Sequence, residues 1–172
     1  MRHWDHAHSL TVIAFRSVNA RGQHGYNPGL QRHHLLPRQL LSQRCFGRMF
    51  AEVGLVRVGF DDFRRNGLLL PATESASVRS GMPLHRGPHP RYNEVVIARV
   101  GRIEERWAMV RQHDAGAALE EALLRLHVLQ GALRRQLLAE RRRVVLNRKD
   151  PLGTGFDFAE LDAMAEMLWA AE

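Results

Sequence analysis

Hydrophobic side chains recur at intervals of three or four residues over four stretches of this chain. That interval places them on one face of a helix, where they can pack against a core. We therefore predict helices over residues 38–53, from His85–Pro90 to about Val110, from about Ala117 to Val145, and from the capping-box pair Asp157 and Glu160 onward.

Two short apolar runs are typical of strands instead. The first, residues 33–36, ends at Pro37, and the second is Leu68–Leu70. The second run follows Asn66-Gly67, a pair that favours positive φ angles and a tight turn. Residues 72–83 are small and polar, so we predict a loop there.

The length and composition narrow the class of protein. The chain has 172 residues, of which 45% are hydrophobic, enough for one domain with an ordinary core and a helical appendage. No apolar run approaches the length of a membrane-spanning helix. Cys45 is the only cysteine, so any metal site must use His, Asn, Asp or Glu. We expect no membrane partner and a reducing, cytoplasmic location.

The charge balance points to a polyanionic partner. The formal net charge is +7, and Lys149 is the only lysine, so arginine carries nearly all the positive charge. Guanidinium groups make forked hydrogen bonds to phosphate oxygens, which suits nucleic acid. Codon usage in a GC-rich genome could explain the ratio of arginine to lysine, but it does not explain the positive net charge. The run 141–143 could grip a nucleic-acid backbone or form a solvated helix face.

Four histidines and one asparagine are the candidate chemistry: His33, His34, Asn66, His85 and His89. Taken alone, the doublet or the last pair is more often solvated or structural than functional. Together, His33, His85 and His89 form a three-histidine shell that leaves coordination positions open, as a catalytic metal needs. His34 is then available as a general base for water. The N-terminal histidines 3, 6 and 8 are better interpreted as a loose tail.

The motifs around these residues resemble a known family. They are His33-His34-Leu35-Leu36-Pro37, Phe60-Asp61-Asp62, Asn66-Gly67-Leu68-Leu69-Leu70-Pro71 and Leu84-His85-Arg86-Gly87-Pro88-His89-Pro90-Arg91-Tyr92. In this order and spacing they resemble the AHH family of the HNH/endonuclease VII nuclease superfamily, over roughly residues 30–107. One departure is visible, because Arg32 stands where the family has the alanine of its Ala-His-His motif. That extra cation could favour phosphate or repel metal.

The resemblance implies an α+β fold with a ββα-metal (His-Me finger) core, a helical insertion and additional C-terminal helices. It predicts that the doublet ends the first strand, that the asparagine introduces the second strand, and that the following helix supplies the last histidines. We accordingly divide the chain into a tail (1–23), a nuclease domain (24–112) and a helical extension packed on or beside it (113–172).

The resemblance also implies roles for the five candidate residues. His33, His85 and His89 are similar to the family's metal ligands, although in some relatives one member of such a pair contacts phosphate. His34 matches the base that activates water. Asn66 matches a residue that pins the loop between the strands and so orients His34, or one that touches the metal.

The activity implied is hydrolysis of phosphodiester bonds by one divalent cation: zinc, magnesium, manganese or nickel. We expect DNA rather than RNA as substrate, bound mostly without sequence preference, with Arg32, Arg86 and Arg91 near the phosphates. The alternatives are a metal-stabilised nucleic-acid-binding module without catalysis, and a toxin effector neutralised by an immunity protein. Because the domain occupies most of the chain, we favour a free-standing or phage-associated nuclease.

Overall fold

The computed structural model describes residues 11–139, 145–147 and 149–151. In this part of the chain the elements are β1 (Leu30–His34), α1 (Gly47–Val53), α2 (Leu55–Val58), α3 (Phe63–Asn66), β2 (Gly67–Pro71), α4 (Glu74–Ser80), α5 (Pro90–Arg111) and α6 (Ala115–Leu138). Short 3-10 turns occur at Phe15–Ser17, Arg38–Ser42 and Arg44–Phe46. The predicted helix after Asp157, the tail histidines 3, 6 and 8, and the arginine run 141–143 lie outside the described residues.

The two strands form a small antiparallel sheet. Leu30 pairs with Pro71 at one end of the ladder, and His34 pairs with Gly67 at the other end. Successive side chains of a strand point to opposite faces of the sheet, so His33 and His34 face opposite ways. His33 is 3% exposed, whereas His34 is only half-buried. The strand pair therefore separates the two histidines of the doublet.

Most of the core lies between the two long helices and the elements packed on them. α5 and α6, joined by residues 112–114, make the most extensive contact between helices. The buried apolar residues of α5 are Tyr92, Val96, Val100, Ile103 and Trp107, which confirms the predicted face. In α6 the predicted stripe is confirmed at Leu126, Leu133 and Leu137, which are buried. Its first two turns differ, because Ala118 and Ala122 are buried where Leu119 and Leu123 are only partly covered.

The predicted helix over residues 38–53 is wrong in its first half. Only Gly47–Val53 is α-helical, and two 3-10 turns precede it. At Gln43 the backbone is extended, with φ −80° and ψ 115°, which interrupts any continuous helix. A 3-10 turn also brings residues three apart to the same side. Leu40 in a 3-10 turn and Met49 in α1 are accordingly both buried. The apolar spacing therefore did not distinguish 3-10 turns from an α-helix.

The predicted loop over residues 72–83 is also wrong, because it contains α4. The Thr73 hydroxyl accepts a hydrogen bond from the Ala76 N–H at 3.2 Å, which caps the start of the helix. Gly81 ends it with φ +68°, a left-handed conformation that glycine adopts without strain. The small polar residues that suggested a loop therefore serve as caps.

The bounds of α5, Pro90–Arg111, agree with the prediction, whereas the end of α6 does not. His85 precedes α5 and His89 occupies its N-cap position, so both histidines lie at the entrance of the helix rather than within it. α6 ends at Leu138 rather than at Val145, because Ala139 is extended. Neither these two helices nor any shorter one in the described residues combines the length and hydropathy needed to cross a bilayer. The boundaries at residues 23 and 112 stay predictions.

Asn66 and Gly67 do not form the predicted tight turn. Asn66 is the last residue of α3, and Gly67 is extended with φ −115° and ψ 152°. A Cβ atom on Gly67 would overlap the ring of Phe63, whose Cγ would be only 2.6 Å away. The glycine is required by this close approach rather than by a positive φ.

The Asn66 side chain is fully buried and joins the two strands. Its Oδ1 accepts from the Leu36 N–H at 2.7 Å, and its Nδ2 donates to the Leu36 carbonyl at 3.2 Å and to the Phe60 carbonyl at 3.0 Å. Gln130 of α6 donates to the same Oδ1 at 3.3 Å. One side-chain amide therefore connects the residues just after β1, the start of β2 and the helix α6.

We predict that Asn66→Ala lowers the free energy of unfolding by about 3 kcal/mol, because it leaves three buried backbone groups without partners. Urea denaturation monitored by circular dichroism would measure the loss. The matched control is Asn93→Ala, whose side-chain amide makes an exposed hydrogen bond to Gln39. The control should change the free energy by less than about 0.5 kcal/mol. Equal effects of the two substitutions would contradict this assignment.

Candidate metal centre

Three histidines from two separate parts of the chain meet beside the sheet. One ring nitrogen from each of His33, His85 and His89 lies within 4.8 Å of the others, so the three nitrogens could bind one metal ion. The ring centroids are 4.9 Å apart for His33 and His85, 5.3 Å for His33 and His89, and 4.4 Å for His85 and His89. The structure thus brings together the three side chains that the sequence nominated as ligands.

The strand β1 positions His33, and the loop before α5 positions His85 and His89. His33 is carried inward by β1, and its ring packs edge-on against the buried Tyr92 of α5, with centroids 4.9 Å apart. The His85 N–H donates to the Pro71 carbonyl at 2.7 Å, which ties the loop to the end of β2. His89 immediately precedes α5, and Gly87, with φ +82°, turns the chain between the two loop histidines.

The polar atoms of the cluster favour a bound cation. Nε2 of His33 and Nδ1 of His89 are buried and have no hydrogen-bond partner among the described residues. A buried polar atom without a partner costs about 1–3 kcal/mol, so two in one cluster call for an explanation. A divalent cation between the rings would satisfy both nitrogens. Imidazole is a common ligand of zinc, nickel and manganese, so the donor set fits such an ion.

Gln31 gives the cluster a further polar contact. Nδ1 of His85 lies 3.2 Å from the Gln31 Oε1, within hydrogen-bonding distance. In the tautomer with the proton on Nδ1, this nitrogen donates to Gln31 and Nε2 keeps its lone pair for a metal. Gln31 was not among the candidate residues predicted from the sequence. The signal that could have identified it is its position two residues before His33, which puts both side chains on one face of β1.

Burial keeps the three histidines neutral. It lowers the pKa of His33 well below its ordinary value, and the neighbouring His85, His89 and His34 lower it further. Burial, followed by the proximity of His89, lowers the pKa of His85 to about 4. Burial also lowers the pKa of His89. Neutral imidazole is the form that binds metal, so the site is in its binding state at neutral pH.

His34 lies on the opposite face of β1 from the cluster. Its ring stacks on Phe15, with centroids 3.5 Å apart and planes inclined by 12°. Burial and the positive charge of Arg38 lower its pKa to about 4, against a smaller opposing effect of Asp61. A neutral imidazole can accept a proton, which is the property required of a general base.

Asn66 forms hydrogen bonds with the backbone of the residues that follow the histidine doublet. Both atoms of its amide bind backbone groups of Leu36 and Phe60, and its own carbonyl accepts from the Leu35 N–H at 2.9 Å. Tyr92 adds a hydrogen bond from its hydroxyl to the Leu35 carbonyl at 2.8 Å. These contacts fix the backbone directly after His34.

The three arginines nominated for phosphate binding have different surroundings. Arg32 donates to the carbonyls of Phe15 and Arg16, at 3.4 and 2.5 Å, so its guanidinium contacts the segment before the sheet. Arg86 and Arg91 are exposed on either side of His89, one in the loop and one in the first turn of α5. The latter two are placed where a polyanion could reach them.

A short segment near residue 150 holds the loop that carries His85. Asp150 Oδ2 accepts from the Leu84 N–H at 2.9 Å, and the Asn147 side-chain amide donates to the Arg86 carbonyl. His85 therefore lies between two residues, Leu84 and Arg86, whose backbone groups are hydrogen-bonded by side chains from outside the motif. No local pattern identified Asn147 or Asp150, because their partners are about sixty residues earlier in the chain.

We predict that the protein loses thermal stability in a chelating buffer as the pH falls from 6.5 toward 4. The unfolded histidines take up protons below their ordinary pKa of 6.5, whereas folded His85 does so only near pH 4. Stability present above pH 6.5 is therefore lost through this window. Differential scanning calorimetry between pH 7.5 and 5 should show a melting temperature that falls by several degrees. His85→Gln, which removes one titrating group, should reduce the slope, and a flat profile for the wild type would contradict the assignment.

We also predict that Asp150→Ala and Asn147→Ala weaken metal binding about 10-fold, because an incorrectly held ligand loop costs roughly 10- to 100-fold in affinity in comparable sites. Isothermal titration with Zn²⁺ would measure the change. Lys149→Ala is the control, since only the backbone N–H of Lys149 bonds to Asn147. Unchanged affinity in both variants would show that the segment does not support the site.

Comparison with known proteins identifies the family. Residues 14–130 match the sequence model of AHH, described as a nuclease family of the HNH/ENDO VII superfamily with a conserved AHH. No curated protein and no solved structure matches the chain significantly. The family match covers more than half of the chain and includes β1, β2 and all three clustered histidines. The chain therefore belongs to the AHH family of nucleases, and its α+β fold is that of the ββα-metal superfamily.

Proposed function

We propose that this protein is a metal-dependent endonuclease that hydrolyses phosphodiester bonds with one divalent cation bound by His33, His85 and His89. The observation that carries the proposal is the convergence of three ligand nitrogens within 4.8 Å. Three imidazoles do not complete the coordination of any of the candidate metals, so positions remain for water and a phosphate oxygen. A structural zinc site would need a fourth protein ligand.

The chain's own residues supply the rest of the reaction. The bound cation would act as a Lewis acid that stabilises charge on the phosphate and on the leaving 3′ oxygen. His34 accepts the proton of the attacking water, and Asn66 maintains the backbone that presents His34. The product then carries a 5′ phosphate, as is typical of the superfamily.

Substrate binding rests on charge. The net charge of +7 and the exposed Arg86 and Arg91 favour phosphate contacts that do not depend on base sequence. DNA as the preferred substrate follows from the family resemblance alone. Arg32 is a weaker candidate for phosphate binding than the other two, because backbone carbonyls already occupy its guanidinium.

The test is a plasmid-nicking assay with Mg²⁺, Mn²⁺, Ni²⁺ and Zn²⁺, with the metal content measured on the same protein. We expect cutting by the wild type. His34→Ala should bind metal normally and cut about 10²- to 10⁴-fold more slowly, which is the usual contribution of a general base. His33→Ala should lose both metal and activity.

His24→Ala is the matched control, because His24 is exposed and outside the cluster. It should bind metal and cut like the wild type. If the wild type binds metal and nucleic acid but cuts with none of the four cations, the protein is a non-catalytic binding module and the nuclease proposal is wrong. Full activity of His34→Ala would exclude His34 as the base.

A further inference from the structure

A short segment before the sheet is fastened across the His34 face of β1. This strap consists of residues 13–16. The Phe15 N–H donates to the Asp61 carbonyl at 2.9 Å, and the Ile13 carbonyl accepts from the Phe63 N–H at 2.8 Å. Ala14 pairs with Asp62 as an isolated bridge. The strap is thus held by backbone hydrogen bonds to the residues that lead into α3.

Phe15 contacts two rings. It stacks on His34, with a centroid distance of 3.5 Å and nearly parallel planes. It also contacts Phe63, with ring centroids 5.3 Å apart and planes inclined by 57°. The imidazole of His34 therefore lies flat against the Phe15 ring.

Arg32 binds the strap from the sheet. It lies two residues before His34 on β1, so the two side chains project from the same face. Its Nη1 lies 2.5 Å from the Arg16 carbonyl and 3.4 Å from the Phe15 carbonyl. The alanine that the family has at this position could make neither contact, so this fastening is a feature of the present chain.

Ring packing orients His34, which is stacked on Phe15 and has Phe60 at a centroid distance of 6.3 Å. Nε2 of His34 is buried and has no hydrogen-bond partner among the described residues. The last torsion of a histidine side chain has broad energy wells, so a ring without a hydrogen bond at this nitrogen needs a surface to fix its plane. The Phe15 ring is that surface.

We propose that Phe15 is the positioning residue of the general base and that Arg32 holds Phe15 in place. The inference rests on the proposed function, since it concerns the base of that reaction. It assigns Arg32 a role in orienting His34 rather than in binding phosphate. Loss of either side chain therefore affects the chemical step and leaves substrate binding unchanged.

The kinetic test compares Phe15→Leu and Arg32→Ala with the wild type on a duplex oligonucleotide. We expect kcat to fall about 10- to 100-fold, the cost of a misplaced catalytic group, with KM changed less than about 2-fold. Phe15→Tyr keeps the ring and should retain wild-type kcat. Arg16→Ala is the charge-matched control for Arg32→Ala, because it removes one exposed positive charge from the strap and leaves its carbonyl in place. This control should keep its kcat.

A second measurement does not depend on cutting. In the NMR spectrum, the stacked Phe15 ring should shift the His34 ring protons upfield, with the signals assigned by their absence in His34→Ala. Phe15→Leu and Arg32→Ala should return these signals toward ordinary histidine values. Zn²⁺ affinity equal to that of the wild type will show that both variants are folded.

The outcomes separate the two proposals. Wild-type kcat in Phe15→Leu, with His34→Ala inactive, overturns the inference and leaves the proposed function in place. A raised KM with normal kcat in Arg32→Ala assigns this side chain to phosphate binding and also overturns the inference. An inactive wild type with intact metal binding overturns the proposed function itself. Unshifted His34 signals in the wild type refute the stack directly.

Discussion

The alternation of side chains along β1 is the constraint on which the rest of the site depends. Adjacent residues of a strand point to opposite faces, so His33 enters the interior while His34 remains on the other side. A slip of one residue in the pairing with β2 would exchange their positions. Asn66 opposes such a slip, because its amide binds both backbone groups of Leu36 just after β1 while its own backbone leads into β2. One buried amide thus maintains the register on which two different histidine environments rely.

Much of this arrangement was predictable because its signals are local. The two strands, the helix α5 and the clustered histidines His33, His85 and His89 belong to short motifs, each of which is compact in the sequence, and a long periodic helix is recognised by its apolar face. The errors occurred where a local pattern has two solutions. Apolar spacing fits 3-10 turns as well as an α-helix, and small polar residues fit the caps of α4 as well as a loop.

Other parts of the site could not be predicted from the sequence. Phe15, Asn147 and Asp150 act through partners that lie far away along the chain, and nothing in their immediate neighbours indicates those partners. Gly67 was predicted to lie in a tight turn, whereas a glycine is required there because the Phe63 ring leaves no room for a Cβ atom. Contacts of this kind become visible only when the packing is known.

The histidine cluster places an energetic cost on the fold. Three imidazoles share a small space, and two of their nitrogens are buried without a partner in the described part of the chain. Packing elsewhere in the fold, such as that between α5 and α6, has to offset this cost. A cation that binds only the folded protein would stabilise the folded state by mass action.

The hydrogen bonds from Asn147 and Asp150 also bear on the order in which the site forms during synthesis. A ribosome adds both residues long after the three clustered histidines, so a growing chain contains the whole cluster before it contains the side chains that hold its loop. The loop around His85 therefore acquires these two hydrogen bonds only after residue 150 has been synthesised.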